Sequence, residues 1–303
     1  MEKTKGVVLF AFGHYAYYWA MHNLALSIKH FNKNISITAF VGSEAEAKHR
    51  CPEIVNHIDT ITEIPKDLFY NNGKFDPGKL KVSLYDLLPY DINLYLDVDA
   101  VCIKDIEPLF AELQSQGKEY MAHTVGYHTI DKGRHIESMQ WAWADTIWEK
   151  YNLEKDAVLP AINSSLQYIE KGKVSKKIYD TAKALYNDPI PVDKLRMKWG
   201  GGQPDELYMN IAFAKLNHDP ACTNVGFDGA EVGHIHFAMR RNLELKEVKE
   251  RFYFQSYYGG AGFTARFYTE WIDRMLSKII IENKLGTWYK IDYILKYKHA
   301  SKK

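Results

Sequence analysis

Two carboxylates interrupt an apolar stretch of the sequence near residue 97. The segment LYLDVDAVCI, residues 94–103, places Asp97 and Asp99 among side chains that are otherwise apolar. A buried carboxylate is costly unless a cation, hydrogen bonds or a metal ion matches its charge. Two acids spaced in this way at the end of a strand can face the same side, where their oxygens suit a hard cation such as Mg²⁺ or Mn²⁺. A solvated strand end or a turn cap explains these two residues equally well when they are taken alone.

The residues around this pair alternate between strand and helix patterns. Strands are predicted at 6–13, 35–42, 58–64 and 92–97, and helices at 17–31, 43–50 and 78–89. Strands that are apolar on both faces and alternate with helices indicate a mostly parallel sheet with right-handed crossovers. Ligands bind beyond the carboxyl ends of the strands in such sheets, and Asp97 and Asp99 lie at such an end.

The second half of the chain has a less regular pattern. It predicts strands at 119–127, 161–169 and 232–238, and helices at 136–153, 175–187 and 204–216. No repeat or low-complexity linker divides the chain. We therefore expect a single α/β, Rossmann-like domain over residues 1–266, followed by a helical, basic and aromatic tail over residues 267–303.

Composition limits the class of protein. The 303 residues are 46% hydrophobic and 25% charged, as in soluble globular proteins, and a net charge of +1 gives no overall field toward nucleic acid. The cysteines Cys51, Cys102 and Cys222 are far apart and are expected to be free thiols in a reducing compartment. The sequence has no run of 18 apolar residues, and its first apolar run is too short for a signal-peptide core. A cytoplasmic location is the expectation.

The segment LYLDVDAVCIKDIEPLF, residues 94–110, resembles the signature of GT-A-fold glycosyltransferases, especially glycosyltransferase family 8. In that family an apolar strand ends in Asp-x-Asp, and a turn and helix with a D-I-x-x-L-F-like pattern follow. Three later segments match in the same order along the chain, and the resemblance spans about residues 6–240. They are AINSSLQYI with Asn163 in the place of the family's Asn, PDELYMNIAF with Asp205 and Glu206 in the places of its Asp and Gln, and VGHIHFA with His236 in the metal-ligand place.

The resemblance implies a metal-dependent transfer of a sugar from a nucleotide sugar, with UDP as the expected nucleotide and retention as the expected stereochemistry. Residues of about 1–125 would bind the nucleotide, and residues of about 126–266 would bind the acceptor. The implied metal is Mn²⁺ (or Mg²⁺), with Asp97, Asp99 and His236 as ligands. The family's Gly-x-Lys-Pro-Trp run after the His is replaced here by AMRRNLE, where Arg240 or Arg241 could supply the missing cation for the diphosphate.

The residues expected to act on the sugar are Asn163, Asp205 and Glu206. Acids at a helix start are also favoured by the positive end of the helix dipole, which gives Asp205 and Glu206 a structural interpretation beside the catalytic one. The residues expected to contact the donor are Phe12, Gly13, Tyr15, Tyr18, Lys79, Asp97, Val98, Asp99 and Arg240. Among them, Tyr15 or Tyr18 could stack on the base, and Lys79 could equally be a solvated helix lysine.

Two other functions remain open from the sequence. The protein could be a nucleic-acid base glycosyltransferase that acts on modified DNA, or a module that binds a nucleotide sugar without turnover. The acceptor could accordingly be a carbohydrate, a lipid-linked glycan or a modified nucleic acid. The tail carries Trp288, Tyr289, Tyr293 and Tyr297 among many lysines. Such a segment can contact an anionic membrane or a nucleic-acid backbone, or it can simply pack on the domain as a terminal helix.

Overall fold

A computed structural model describes residues 3–71, 73–130, 142–194, 203–221, 252–257, 263–284 and 286–300. Its strands are β1 (Lys5–Ala11), β2 (Ser36–Val41), β3 (Thr60–Glu63), β4 (Tyr70–Asn71), β5 (Lys74–Phe75), β6 (Ile92–Leu96), β7 (Ala100–Cys102), β8 (Tyr120–His128), β9 (Leu159–Glu170) and β10 (Phe254–Ser256). Its helices are α1 (Ala16–Phe31), α2 (Glu44–Arg50), α3 (Pro77–Val82), α4 (Glu107–Ser115), α5 (Ala144–Tyr151), α6 (Lys173–Asn187), α7 (Asp205–Leu216), α8 (Phe263–Asn283) and α9 (Ile291–Ala300).

The main sheet has six strands in the order β3-β2-β1-β6-β9-β8. β1 pairs in parallel with β2 and β6, and β2 pairs in parallel with β3. β9 is antiparallel to both of its neighbours, β6 and β8. All strands of this sheet except β9 therefore run in the same direction, which confirms the prediction of an α/β fold with a mostly parallel sheet.

Apolar residues on the two faces of the sheet form two core layers. On β1, Val7 and Leu9 face the layer that contains α1, whereas Val8 and Phe10 face the layer that contains α6 and α7. Because successive side chains of a strand point to opposite faces, a strand covered on both sides has to be apolar throughout. This explains the uninterrupted apolar run of β1 and the burial of each β6 side chain.

Several elements differ from their predicted bounds. The helix predicted over 78–89 ends at Val82, and a 3₁₀ turn follows at Leu84–Leu87. The Ser83 amide donates to the Leu80 carbonyl three residues back, which tightens the chain at the junction. The short β4–β5 hairpin was not predicted, and α5 begins at Ala144. The first residues of the helix predicted over 136–153 and the whole strand predicted over 232–238 lie outside the described residues.

The C-terminal helices α8 and α9 contribute to the core layer that contains α1. Ile272, Leu276, Ile291 and Ile294 are buried there. The predicted helical character of the tail is thus confirmed, although α8 begins at Phe263, before the predicted start of the tail at residue 267. Within the described ranges, no helix combines the length and the apolar character needed to cross a bilayer.

Candidate active site

The acidic pair lies where β6 ends beside a bulge in β9. β6 stops at Leu96, which pairs with Leu166, and the Asp97 amide donates a hydrogen bond of 2.8 Å to the Ser165 carbonyl. On its other side β9 has an irregular register, because Asn163 and Gln167 pair with consecutive residues of β8. Residues 164–166 are therefore extra on β9 and form a bulge next to Asp97. Bulges of this kind redirect side chains and are common beside active sites.

Asp97 is paired with a lysine of the preceding helix. Lys81 Nζ lies 3.0 Å from the Asp97 carboxylate, and the two side chains are only 18% and 25% exposed. The Tyr95 hydroxyl donates to the same carboxylate at 2.6 Å. Burial acts to raise the pKa of Asp97, but the Lys81 ammonium and the hydrogen bonds from Tyr95, Lys81 and Ser165 hold that pKa below 3.8. Asp97 is therefore ionised at neutral pH, and its charge is matched by a cation from the protein.

Two further carboxylates lie at the first turn of α7, beside the β9 bulge. The Ser164 amide donates to Glu206 Oε1 at 3.0 Å, and the Ser164 hydroxyl lies 3.4 Å from the same atom. The hydroxyl also accepts a hydrogen bond of 3.3 Å from Lys81. One serine thus links the Lys81–Asp97 pair to the start of α7. The predicted residues Asp97, Asp205 and Glu206 are brought to one place.

The acids of α7 bind protons more tightly than ordinary carboxyl groups. Burial, with the nearby Asp205 charge, raises the pKa of Glu206 from 4.5 to about 7. Burial likewise raises the pKa of Asp205, and the attraction of Lys81 only partly opposes it. The pKa of Asp97 is therefore shifted down, whereas the pKa values of Asp205 and Glu206 are shifted up. Such separation of pKa values is typical of groups with different chemical roles.

Asp99 contacts different elements from Asp97. It lines a small enclosed space with Ala16, Tyr17 and Ala20 of α1, Tyr257 and Ile294. Its carbonyl accepts hydrogen bonds from the Tyr257 amide at 3.0 Å and the Ser256 hydroxyl at 3.2 Å. The turn between β6 and β7 is therefore fixed by both β9 and the segment around β10.

The loop after β1 carries several of the residues that were predicted to contact the donor. Gly13 has a φ of 88°, a conformation that glycine adopts readily. Phe12 packs against Phe10 and Phe69, with ring centroids 6.4 and 5.9 Å apart. Asn163, the third residue predicted to act on the sugar, accepts a hydrogen bond of 3.0 Å from the Ser165 amide and so helps to shape the bulge.

Of the two tyrosines predicted to stack on a base, Tyr15 is the accessible one. Tyr18 is only 2% exposed, and its hydroxyl lies 3.5 Å from the Glu46 carboxylate. Tyr15 is half-buried, with the Arg50 guanidinium 5.1 Å from its ring centroid and the Trp19 ring 4.9 Å away. Tyr15 therefore lies in an aromatic and cationic environment.

Lys79 and Lys81 occupy the same short helix but have different partners. Lys79 donates to the Tyr70 carbonyl at 3.2 Å, whereas Lys81 binds Asp97. Lys79 was the lysine predicted to contact the donor, whereas Lys81 and Tyr95 were not predicted to belong to the site. The spacing of two residues between Tyr95 and Asp97 indicates that both lie on one face of the strand.

Only some of the predicted ligands of a divalent cation lie within the described residues. Among the residues that the structure describes, no group of three or more His, Cys, Asp or Glu side chains is placed to hold a metal ion. The predicted third ligand, His236, and the predicted phosphate contact, Arg240, both lie outside the described residues. Asp97 and Asp99 supply carboxylate oxygens, which are the ligands that Mg²⁺ and Mn²⁺ prefer. In ligand type, though not as a described cluster, these two residues suit such an ion.

The aromatic residues of the tail face α1. The Trp19 ring stacks on Tyr289 at 4.9 Å with an interplanar angle of 9°, and it contacts Tyr293 and Tyr297 at 5.3 and 6.0 Å. Asn23 donates to the Tyr289 carbonyl at 2.6 Å and accepts from the Tyr289 amide at 3.0 Å. These contacts favour the packing interpretation of the tail among the three that the sequence left open.

Known glycosyltransferases share this fold. The WbbM bifunctional glycosyltransferase matches with a TM-score of 0.51 and 13% identity, over 92% of this chain and 52% of that one. The galactosyltransferase LgtC in complex with donor and acceptor sugar analogues matches with a TM-score of 0.50 and 15% identity, over 94% of this chain and 98% of that one. An active-site variant of LgtC, with Glu in place of Gln, matches with a TM-score of 0.52 and 15% identity, over 89% and 95%.

These similarities establish the fold. The chain has the GT-A glycosyltransferase fold that was predicted, and LgtC is a member of family 8. This chain spans about half the length of WbbM and nearly the whole of LgtC. No protein-family model and no curated protein matches the sequence.

Proposed function

We propose that this protein is a metal-dependent glycosyltransferase that moves a sugar from a nucleotide sugar, with UDP as the nucleotide, to a hydroxyl group of an acceptor with retention of configuration. The observation that carries the proposal is the cluster of Asp97, Lys81, Asp205 and Glu206 at the carboxyl end of β6. In a sheet of this kind that edge is where ligands bind. The GT-A fold supports sugar transfer as the general reaction.

The leaving diphosphate is the group that most needs stabilisation in this reaction. Asp97 and Asp99, together with His236, would hold Mn²⁺ or Mg²⁺. When bound, the ion supplies Lewis-acid neutralisation of the diphosphate oxygens. Lys81 keeps Asp97 ionised, and it brings a positive charge of its own to the site. A cation held by the fold needs little reorganisation when negative charge develops nearby.

The carboxyl groups of α7 would act on the sugar itself. Glu206, with a pKa of about 7, exchanges its proton near neutral pH, and its position is fixed by the Ser164 amide. In the ionised form, Asp205 and Glu206 would stabilise positive charge at the anomeric carbon and orient the sugar hydroxyls. Asn163 would help through the bulge that it shapes.

The remaining predicted contacts would surround the nucleotide. Tyr15 would stack on the base, while Phe12, Gly13 and Val98 would line the cleft beside it. Lys79 and Arg240 are the proposed additional cations for the donor. The matched LgtC structure holds analogues of both a donor and an acceptor sugar, which supports a carbohydrate or lipid-linked glycan as the acceptor.

The test is donor turnover by the full chain. We would incubate the protein with a panel of UDP- and GDP-sugars, with and without Mn²⁺, and measure the nucleoside diphosphate released. Metal-dependent release from one donor is expected. It should be lost in the variants Asp97→Asn and Asp99→Asn and kept in Asp156→Asn, which changes an exposed carboxylate elsewhere on the surface.

A second arm separates an enzyme from a non-catalytic binding protein. UDP binding with Mn²⁺ is measured by calorimetry on the same variants. Binding without turnover of any donor would support the binding protein, and the absence of both would reject the assignment of Asp97 and Asp99. Turnover and binding that are the same with and without the metal would reject the proposed role of the ion.

A further inference from the structure

A glutamine side chain lies in the middle of the core beside the candidate active site. Gln167 belongs to β9 and is only 2% exposed, and its strand neighbours Leu166, Tyr168 and Ile169 are buried apolar or aromatic residues. An amide in such a place destabilises the fold unless its polar atoms are hydrogen-bonded. A glutamine at this buried position is therefore expected to have a structural or functional role.

The amide of Gln167 is hydrogen-bonded at both of its polar atoms. Oε1 accepts hydrogen bonds from the Tyr120 hydroxyl at 2.8 Å and the Tyr179 hydroxyl at 2.7 Å. Nε2 donates to the Ser164 carbonyl at 3.0 Å. Because a carbonyl oxygen can only accept, the NH₂ end of the amide has to face Ser164. The two tyrosines, from β8 and α6, thus satisfy the carbonyl oxygen of the amide, whereas its NH₂ group bonds the β9 bulge.

The bulge in turn sets the geometry of the charged cluster. The Ser164 amide meets Glu206, and its hydroxyl meets Lys81. The bulge lacks regular pairing on one side, since residues 164–166 have no partners on β8, whereas Leu166 still pairs with Leu96 of β6. The bond from Gln167 to the Ser164 carbonyl supplies a substitute for that pairing on the residue that binds Glu206.

We propose that Gln167 is a positioning residue for the candidate active site, because its buried amide holds Ser164 in the β9 bulge so that the Ser164 amide and hydroxyl place Glu206 and Lys81. The catalytic consequence of this role rests on the proposed function. The positioning itself does not, since it concerns a hydrogen bond that can be measured without turnover.

The test compares Gln167→Met with a control that removes the hydrogen bonds to the carbonyl oxygen of the same amide. Methionine has similar size but cannot bond Ser164. The double variant Tyr120→Phe with Tyr179→Phe removes both hydroxyl donors and leaves the Gln167–Ser164 bond in place. Hydrogen exchange at the Ser164 amide, followed by NMR on the full chain, is the readout that does not depend on activity.

Exchange at Ser164 should be about tenfold faster in Gln167→Met and within about twofold of wild type in the double variant. Equal protection of the Ser164 amide in wild type and Gln167→Met would overturn the proposal. If Gln167→Met does not fold, the triple variant that combines Gln167→Met with Tyr120→Phe and Tyr179→Phe replaces it. In that variant no tyrosine hydroxyl is left without a hydrogen-bond partner at position 167. The double variant Tyr120→Phe with Tyr179→Phe remains the control.

Turnover provides the second arm. In Gln167→Met we expect kcat to fall by about tenfold to a hundredfold with little change in the KM for the donor, whereas the double variant should keep both constants within about twofold. An unchanged kcat in Gln167→Met would reject the catalytic consequence. If the wild-type protein releases no nucleotide from any donor, the proposed function fails, and the exchange measurement alone decides the role of Gln167.

Discussion

Replacing Lys81 by methionine should destabilise the fold through the charge that it leaves behind. Lys81 Nζ lies 3.0 Å from the Asp97 carboxylate, and both side chains are largely buried. Removing one partner of a fully buried pair typically costs about 3–5 kcal/mol. Because Asp97 keeps its hydrogen bond from Tyr95 and is 25% exposed to water, we expect a smaller loss of about 2 kcal/mol in the free energy of unfolding.

Lys79→Met is the matched control, since Lys79 lies on the same helix and the described hydrogen bond of its ammonium group is to the Tyr70 carbonyl. It should cost less than about 0.5 kcal/mol. Urea denaturation at neutral pH is the assay. The pKa of Asp97 lies below 3.8 in the folded protein, so the pair stabilises the fold above that pH and loses its effect as the pH falls through the folded-state value. A measurement at neutral pH therefore includes the whole contribution of the Lys81–Asp97 pair to the free energy of unfolding.

A double-mutant cycle with Asp97→Asn isolates the pair. In the Lys81→Met background, Asp97→Asn removes an unmatched carboxylate and should recover stability, which gives a coupling energy of about 2 kcal/mol. A coupling below about 0.5 kcal/mol, or equal losses in Lys81→Met and Lys79→Met, would refute the argument that Lys81 is the charge partner of Asp97. Nucleotide release should disappear in Lys81→Met.

Three further changes test other parts of the structure. Glu206→Gln should stabilise the protein by about 1–3 kcal/mol above neutral pH and have no effect below pH 4.5, because the folded-state pKa of about 7 lies above the unfolded value of 4.5 and ionisation of Glu206 opposes folding. Urea denaturation at several pH values measures this difference in stability, and a difference that does not change with pH would contradict the prediction. Gly78→Ala should cost about 1–3 kcal/mol, because the added methyl group would overlap the Gln203 carbonyl, and a thermal melt unchanged from wild type would disprove that close approach. Asn23→Ala removes both hydrogen bonds to Tyr289 and should make the tail susceptible to limited proteolysis, whereas a tail that stays equally resistant would show that aromatic packing alone holds it.

The parts of the fold that follow from local patterns were predictable from the sequence. The apolar runs of β1 and β6 identify strands covered on both faces, and the acids after Pro204 mark the start of α7. The position of Asp97 at the end of β6 follows from the same pattern. These features depend on residues within one element and its immediate flanks, where periodicity and helix-start chemistry carry the information.

The partners within the site depend on tertiary packing and could not be derived in this way. Lys79 and Lys81 are two residues apart on a helix of six residues, so periodicity cannot decide which of them faces Asp97. The packing of α3 against α6 and α7 decides it. The β9 bulge is equally hidden, because a strand buried on both faces lacks the polar alternation that would reveal a change of register.

The reversed direction of β9 explains how one strand can organise the site. In a parallel sheet, ligands bind beyond the carboxyl ends of the strands, so each parallel strand reaches the site only with its last residues. β9 runs the other way and continues past the end of β6, so residues 163–165 lie beside Asp97 while the strand remains paired with β8 on both sides of the bulge. The bulge is therefore anchored at both of its ends by regular hydrogen bonds, and Gln167 fixes its interior. Ser164 can then link Lys81 and Glu206 from a rigid strand, which is the arrangement that precise positioning of catalytic groups requires.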